Sequence, residues 1–144
     1  MLWSAGLQAR YKSWRALRNS IETLTPAEAL QEVSVWWKSS PAIRRTFDPW
    51  KQESWPNPWT LLYQEEQCAN SIILGIWYTL TLADIDLSSI QLSIISDRVQ
   101  KQNILALIID SEVVMTYNST MSATDTELLE ILNIFDSQEL KKLV

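Results

Sequence analysis

Apolar residues recur at steps of three and four over the first third of the chain and predict two helices. The first predicted helix carries an apolar stripe of Leu7, Tyr11, Trp14, Leu17, Ile21 and Leu24. A second helix is predicted to begin at Thr25, with Pro26 in its first position and Glu28 closing a capping box. It is expected to run to about Lys38 and to bury one indole of the Trp36–Trp37 pair, because adjacent helical residues point in different directions.

Helical periodicity stops between residues 39 and 58. Four prolines in this stretch separate four large aromatic residues, which are Phe47, Trp50, Trp55 and Trp59. Proline fixes the backbone, and indoles offer a large contact area at little entropic cost. The sequence therefore predicts a rigid, ordered loop.

A helix is predicted over residues 59–83. Cys68 shares an apolar stripe with Ile72, Ile76 and Leu80 at steps of four. Gly75 lies mid-helix, where it costs about 1 kcal/mol relative to alanine, which favours close packing against another helix. A glycine that is merely tolerated explains the position equally well.

The hydrophobic period changes to two after Asp86. Residues 90–96, 103–109 and 113–118 are predicted strands, and the middle one is apolar on both faces, as in a covered sheet. Thr124 and Glu127 are expected to cap a helix through Leu128, Leu129, Leu132 and Phe135, with a last helical segment at 137–144.

These elements predict an α+β fold: N-terminal helices, a central cysteine-bearing helix, a small antiparallel sheet of about three strands and a C-terminal helix. We expect one domain over residues 1–144, divided into a basic helical part (1–38), the Pro/Trp loop (39–58), a helix (59–83), strands (88–120) and a helical end (124–144). A length of 144 residues suits one domain of this kind.

Charge is distributed unevenly along the chain. Residues 1–52 carry a net charge of +4 and residues 53–144 one of −9, within a total of −5. Opposite potentials of this kind steer protein partners, although solvated helix faces explain the charges as well. The acidic remainder makes nucleic acid an unlikely partner. The apolar runs are too short for a membrane span, and the N-terminus lacks signal-peptide features, so we expect a cytosolic or assembly-bound protein.

The side-chain inventory argues against catalysis. The chain has eight tryptophans, one cysteine and no histidine, the residue most often used for proton transfer near neutral pH. The stripe position of Cys68 predicts an inert, buried thiol. The spacing of Asp84, Asp86, Glu65 and Glu66 fits neither a calcium loop nor a zinc site, so we predict no metal and no cofactor.

A cysteine helix followed by a meander of strands resembles the transglutaminase-like, papain-like arrangement. The resemblance implies Cys68 as nucleophile, a strand starting at Gln102 or Asn103 in place of the histidine strand, and Asn118 in place of the orienting acid. The chain departs from that pattern because it has no histidine, carries an amide at position 118 and has no glycine beside Cys68.

A second resemblance is to small proteins of tailed bacteriophages, including cyanophages. It rests on Trp36–Trp37, the Trp-Pro-Asn-Pro-Trp-Thr-Leu-Leu block at 55–62, Cys68–Ala69 and the segment 74–80. It implies a phage protein located in the virion after assembly in the host cytoplasm.

The sequence favours a non-catalytic virion structural or assembly protein of the tail, baseplate or neck, present in several copies and binding other phage structural proteins. Neither a membrane nor a small-molecule substrate is expected. The predicted protein-binding residues are Trp36, Trp37, Trp50, Trp55, Trp59, Arg15 and Arg18. Two alternatives stay open: a cysteine hydrolase or acyltransferase using Cys68, and a phage module that binds a host protein.

Overall fold

A computed structural model describes residues 2–141. The helices are α1 (Leu7–Ile21), α2 (Pro26–Lys38), α3 (Pro58–Tyr63), α4 (Ala69–Leu82) and α5 (Ser137–Lys141). The strands are β1 (Ile90–Asp97), β2 (Gln102–Ile109), β3 (Val113–Met115), β4 (Thr120–Ser122) and β5 (Leu129–Ile134). Short 3-10 turns occur at Leu2–Ser4 and Gln52–Ser54.

Helix α4 is buried on nearly every side because it lies between the other helices and the sheet. Its residues from Asn70 to Leu80 are all buried. The Thr79 hydroxyl accepts the indole N–H groups of both Trp14 and Trp37 at 2.9 Å and donates to the Gly75 carbonyl at 2.7 Å. This one hydroxyl therefore links α1, α2 and α4 through satisfied polar contacts in the core.

The predicted start of the second helix is confirmed. Thr25 and Glu28 form the reciprocal capping box at the start of α2, with Pro26 in the first helical turn. Trp37 is fully buried and Trp36 is partly buried, as the adjacent indoles predict. A Cβ on Gly75 would meet the Trp37 ring, so the close-packing explanation of this glycine is correct.

The five strands form one antiparallel sheet in the order β4-β3-β2-β1-β5. Alternate β2 residues serve two separate cores. Leu105 and Leu107 join the main core with α4, whereas Ile104, Ala106 and Ile108 join a smaller cluster on the other face. The doubly apolar pattern of this strand therefore predicts its central, covered place correctly.

The α+β class is confirmed, and three details are corrected. The sheet has five strands instead of about three. The helix expected over 59–83 is two helices, because Gln67 leaves the helical path to pair with residues 41–43 of the loop. The third strand ends at Met115 because Thr116 bonds to Ser119 and turns the chain.

The helix predicted through Leu128 and Phe135 is also wrong. Residues 129–134 form β5, which pairs with the free side of β1 from Asp97 to Ser93. The main-chain groups of β1 need partners on that side, and this requirement outweighs the helical spacing of the leucines. Helix α5 begins only at Ser137, and residues 142–144 lie outside the described part of the chain.

Over residues 2–141, none of the helices has both the length and the apolar character needed to cross a bilayer.

Candidate active site around Cys68

A cleft of about 1140 Å³ opens at the N-terminal end of α4. Cys68 lines it from just before α4 and Ser71 from the first turn of α4. Thr46 lines it from the loop, and Arg10 lines it from α1. Helix α3 and the residues after it complete the wall. The cleft therefore brings together segments that are far apart in the sequence around the only cysteine of the chain.

Cys68 is the N-cap of α4 and does not lie within the helix. Its Sγ accepts the Ser71 backbone N–H at 3.3 Å and lies 2.9 Å from Ser71 Oγ. The Thr46 hydroxyl can donate to the same sulfur at 3.3 Å. Three possible donors thus surround one sulfur at a helix end that favours negative charge.

The side chain of Asn70 fixes this arrangement. Its Nδ2 donates to the Phe47 carbonyl at 2.9 Å, and its Oδ1 accepts the Leu105 N–H at 2.9 Å. Asn70 is fully buried, so these bonds fasten the loop and β2 to the first turn of α4. Thr46 is held beside Cys68 as a result.

Sequence reasoning missed Thr46, Asn70, Ser71 and Arg10. Ser71 carried a usable signal, because a residue three places after an N-cap supplies the capped N–H. Thr46 and Arg10 carried none, since long-range folding alone brings them to Cys68.

One rim of the cleft is anchored by Tyr78. Its hydroxyl donates to the Pro56 carbonyl at 2.8 Å, and Pro56 lines the cleft. Burial raises the pKa of Tyr78 to about 12, so the phenol stays a donor at neutral pH.

The positions matched to the catalytic histidine and acid lie away from the cleft lining. Gln102 and Asn103 are exposed at the start of β2, where the resemblance placed the histidine strand. Asn118 is exposed in the turn after β3, and its N–H donates to Thr116 Oγ1. None of these three amides is among the residues that line the cleft around Cys68.

The predicted protein-binding tryptophans have different environments. Trp37 is fully buried, Trp36 donates to Ser13 Oγ, and Trp55 is 9% exposed with its N–H on the Pro49 carbonyl. Trp50 and Trp59 are 51% and 52% exposed. Contact with a partner stays a prediction for all five, and only the last two present a large indole surface.

The two predicted arginines of α1 differ in exposure, because Arg18 is partly buried. Arg15 is exposed, and the Arg18 guanidinium lies 4.2 Å from the Trp14 ring centroid. Burial and then the nearby Arg15 charge lower the pKa of Arg18. Neither arginine lines the cleft, so their predicted role in protein binding is separate from Cys68.

Comparison with known proteins gives structural matches only. No protein-family model matches the sequence, and neither does any curated protein. Legionella pneumophila LapG matches with a TM-score of 0.74 and 13% identity, covering 91% of this chain and 76% of that one. Its EGTA-treated form gives the same score and identity with 91% and 74% coverage. Its calcium-bound form matches with a TM-score of 0.72 and 14% identity, covering 89% of this chain and 75% of that one.

One of those LapG structures is calcium-bound. Among residues 2–141, no group of three or more His, Cys, Asp and Glu side chains could hold a metal ion.

The prediction of a non-catalytic structural protein is wrong, and so is the prediction that the chain is not an enzyme. The structural match to LapG instead favours the alternative of a cysteine hydrolase or acyltransferase using Cys68. The prediction relied on the lack of histidine. The fold and the N-cap position of Cys68 form without that residue, so its absence does not exclude them. The chain shares the fold of LapG, which is consistent with the transglutaminase-like order of elements that the sequence predicts.

Proposed function

We propose that the chain is a cysteine-dependent acyl-transfer enzyme in which Cys68 is the nucleophile. The observation that carries the proposal is the sulfur at the N-cap of α4, inside the cleft and surrounded by the donors of Ser71 and Thr46. The donors hold the sulfur in one position at the cleft, where it can meet an acyl carbon.

The proposed step forms one bond and breaks one. Sγ attacks an acyl carbon, the Sγ–C bond forms, and the bond to the leaving group breaks with its electron pair. The proton from the thiol leaves with that group through solvent in the cleft. The products are the Cys68 thioester and the protonated leaving group.

We assign the stabilisation of the developing oxyanion to backbone N–H groups at the start of α4. The first turn of a helix carries N–H groups that no carbonyl of the same helix accepts. At α4 these groups belong to Ala69 and Asn70 beside Cys68, because the Ser71 N–H is given to the sulfur. They suit stabilisation of negative charge on an acyl oxygen.

The lack of histidine restricts the classes of acyl donor that can react with Cys68. An amide must lose an amine, which leaves only after protonation, whereas a thioester or activated ester loses a weaker base. We therefore propose thioesters and activated esters as the preferred donors.

The test measures covalent acylation of the folded protein by an acetyl thioester, with intact-mass detection. We expect one acetyl group per wild-type chain, none on Cys68→Ala, and a slower reaction after unfolding in urea. Failure of the folded wild-type protein to acylate, or equal rates for folded and unfolded chains, would overturn the proposal.

The resemblance to tailed-phage proteins, with the virion location that it implies, stays a prediction from the sequence. Mass spectrometry of purified particles is the direct test of it.

A further inference from the structure

We infer that Arg10 binds a carboxylate group of the substrate in the Cys68 cleft. The inference rests on the proposed function, because it assigns the chemistry of the acyl donor that enters this cleft. Arg10 is 2% exposed and yet lines the cleft. A charged side chain this deeply buried requires compensation.

The hydrogen bonds of Arg10 all go to main-chain carbonyls. Its Nε donates to Leu62 at 2.8 Å, one Nη to Trp3 at 2.9 Å and the other Nη to Tyr63 at 3.2 Å. Leu62 and Tyr63 are the last residues of α3, so carbonyl dipoles at a helix end partly offset the charge. The guanidinium is thereby held in one fixed orientation.

The acceptors bonded to Arg10 are neutral carbonyls, so none of them forms an ion pair with its guanidinium. Among residues 2–141, no carboxylate forms an ion pair with Arg10. A guanidinium has five N–H donors, of which these bonds use three, so one N–H on each Nη takes no part in them. Two such donors match the two oxygens of a carboxylate.

The remaining charges of the cleft favour a single negative charge on the ligand. Arg45 contributes a second positive charge to the lining, and Glu65 and Glu66 contribute two negative ones. The glutamates repel a doubly charged phosphate more strongly than a singly charged carboxylate. We therefore assign a carboxylate.

The first experiment compares N-acetylglycine with its neutral isostere N-acetylglycinamide, using calorimetric titration of the full chain. We expect the carboxylate to bind at least tenfold more tightly, and Arg10→Lys to reduce this preference about tenfold because lysine lacks the planar fork. Arg98→Gln, which removes an exposed arginine from the end of β1, is the matched control and should bind like wild type. Equal affinity of wild type for both probes would overturn the inference.

Arg10→Lys can fail for a structural reason, since Arg10 joins three segments. Circular dichroism identifies that failure, and the Arg10 Nε–H resonance of the wild-type protein then decides. N-acetylglycine should shift this resonance, whereas the amide should not. Absence of any shift, or displacement of N-acetylglycine by a lower concentration of inorganic phosphate, would contradict a carboxylate site.

The inference and the proposed function can fail separately. Cys68→Ser should bind N-acetylglycine like wild type while losing acylation. Carboxylate binding in a wild-type protein that never acylates would leave Arg10 assigned and overturn only the acyl-transfer proposal. A succinyl thioester carries a free carboxylate and a butyryl thioester does not. If both acylate Cys68 at equal rates and N-acetylglycine does not bind, only the role of Arg10 is overturned.

Discussion

The indole ring of Trp37 occupies the space in which a side chain at Gly75 would lie. A Cβ built on Gly75 would come within 2.7 to 2.8 Å of three ring atoms of Trp37. The contact brings α2 against the middle of α4, seven residues after Cys68 in the sequence. The helix that presents the sulfur to the cleft is therefore packed without space to shift.

Gly75→Ala should destabilise the protein by about 1 to 3 kcal/mol, since the added methyl overpacks the core. This cost exceeds the helix-propensity gain of about 1 kcal/mol that alanine brings. Urea unfolding measures the change in the free energy of unfolding.

A double-mutant cycle with Trp37→Leu is the control for that prediction. If the indole ring causes the penalty, Gly75→Ala should cost much less in the Trp37→Leu background. The same penalty in both backgrounds would show that Trp37 is not the cause.

Thr79→Val should lower the free energy of unfolding by about 3 kcal/mol, because it leaves the buried N–H groups of Trp14 and Trp37 without their acceptor. Valine keeps the shape of threonine, so packing changes little. Thr81→Val is the matched control, since Thr81 bonds only to a carbonyl one turn back, as Thr79 also does. Similar urea-unfolding losses for the two variants would contradict a special role of Thr79.

Local sequence signals predicted the helical half of the fold well and the C-terminal end poorly. The Thr25–Glu28 capping box is a contact three residues apart, so the sequence contains all of it. Strand β5 is different, because its main-chain partner is β1, whose paired residues lie 32 to 41 positions earlier. Leucines with helical spacing at 128–132 could not reveal that edge of the sheet.

For the candidate site, the sequence predicted the residue Cys68 and the order of the cysteine helix and the strands that follow it. A break between α3 and α4 turns Cys68 from a stripe residue into an N-cap, and this break depends on pairing between Gln67 and Ala42. Thr46 and Arg10 reach the cleft through tertiary packing, which no spacing in the sequence records.

Ser71→Ala should slow alkylation of Cys68 by iodoacetamide about tenfold at neutral pH. The variant keeps the Ser71 backbone N–H but loses the hydroxyl 2.9 Å from Sγ. A hydrogen bond to a charged atom contributes about 1.5 to 3 kcal/mol, which corresponds to a tenfold change or more. Ser40→Ala is the control, because Ser40 is also buried but bonds to the Trp37 carbonyl away from the cleft. Equal alkylation rates for both variants would remove Ser71 from the site.

Stability should fall at alkaline pH because of Tyr78. Burial raises the pKa of Tyr78 from its usual 10.0 to about 12, so the folded state retains the phenol proton where the unfolded chain loses it. The contribution to stability is complete below pH 10 and is lost as the pH rises through 12. Urea unfolding of Tyr78→Phe should show a smaller loss over this range than wild type. Tyr63→Phe, at a residue that is 68% exposed, should behave like wild type, and an identical profile for Tyr78→Phe would refute the assignment.

Trp55→Ala and Trp50→Ala should differ sharply although the residues are close in one loop. Trp55 packs edge-on against Phe135 with ring centroids 5.1 Å apart and donates its N–H to the Pro49 carbonyl. Trp55→Ala should lower the free energy of unfolding by about 3 to 5 kcal/mol, as for other buried aromatic residues. Trp50 is half exposed, so Trp50→Ala should change the free energy of unfolding by less than about 0.5 kcal/mol. Urea unfolding of both variants measures the difference, and equal losses would mean that the loop does not divide into a core indole and a surface one. A Trp50→Ala protein of wild-type stability is then the suitable variant for any test of partner binding through this loop.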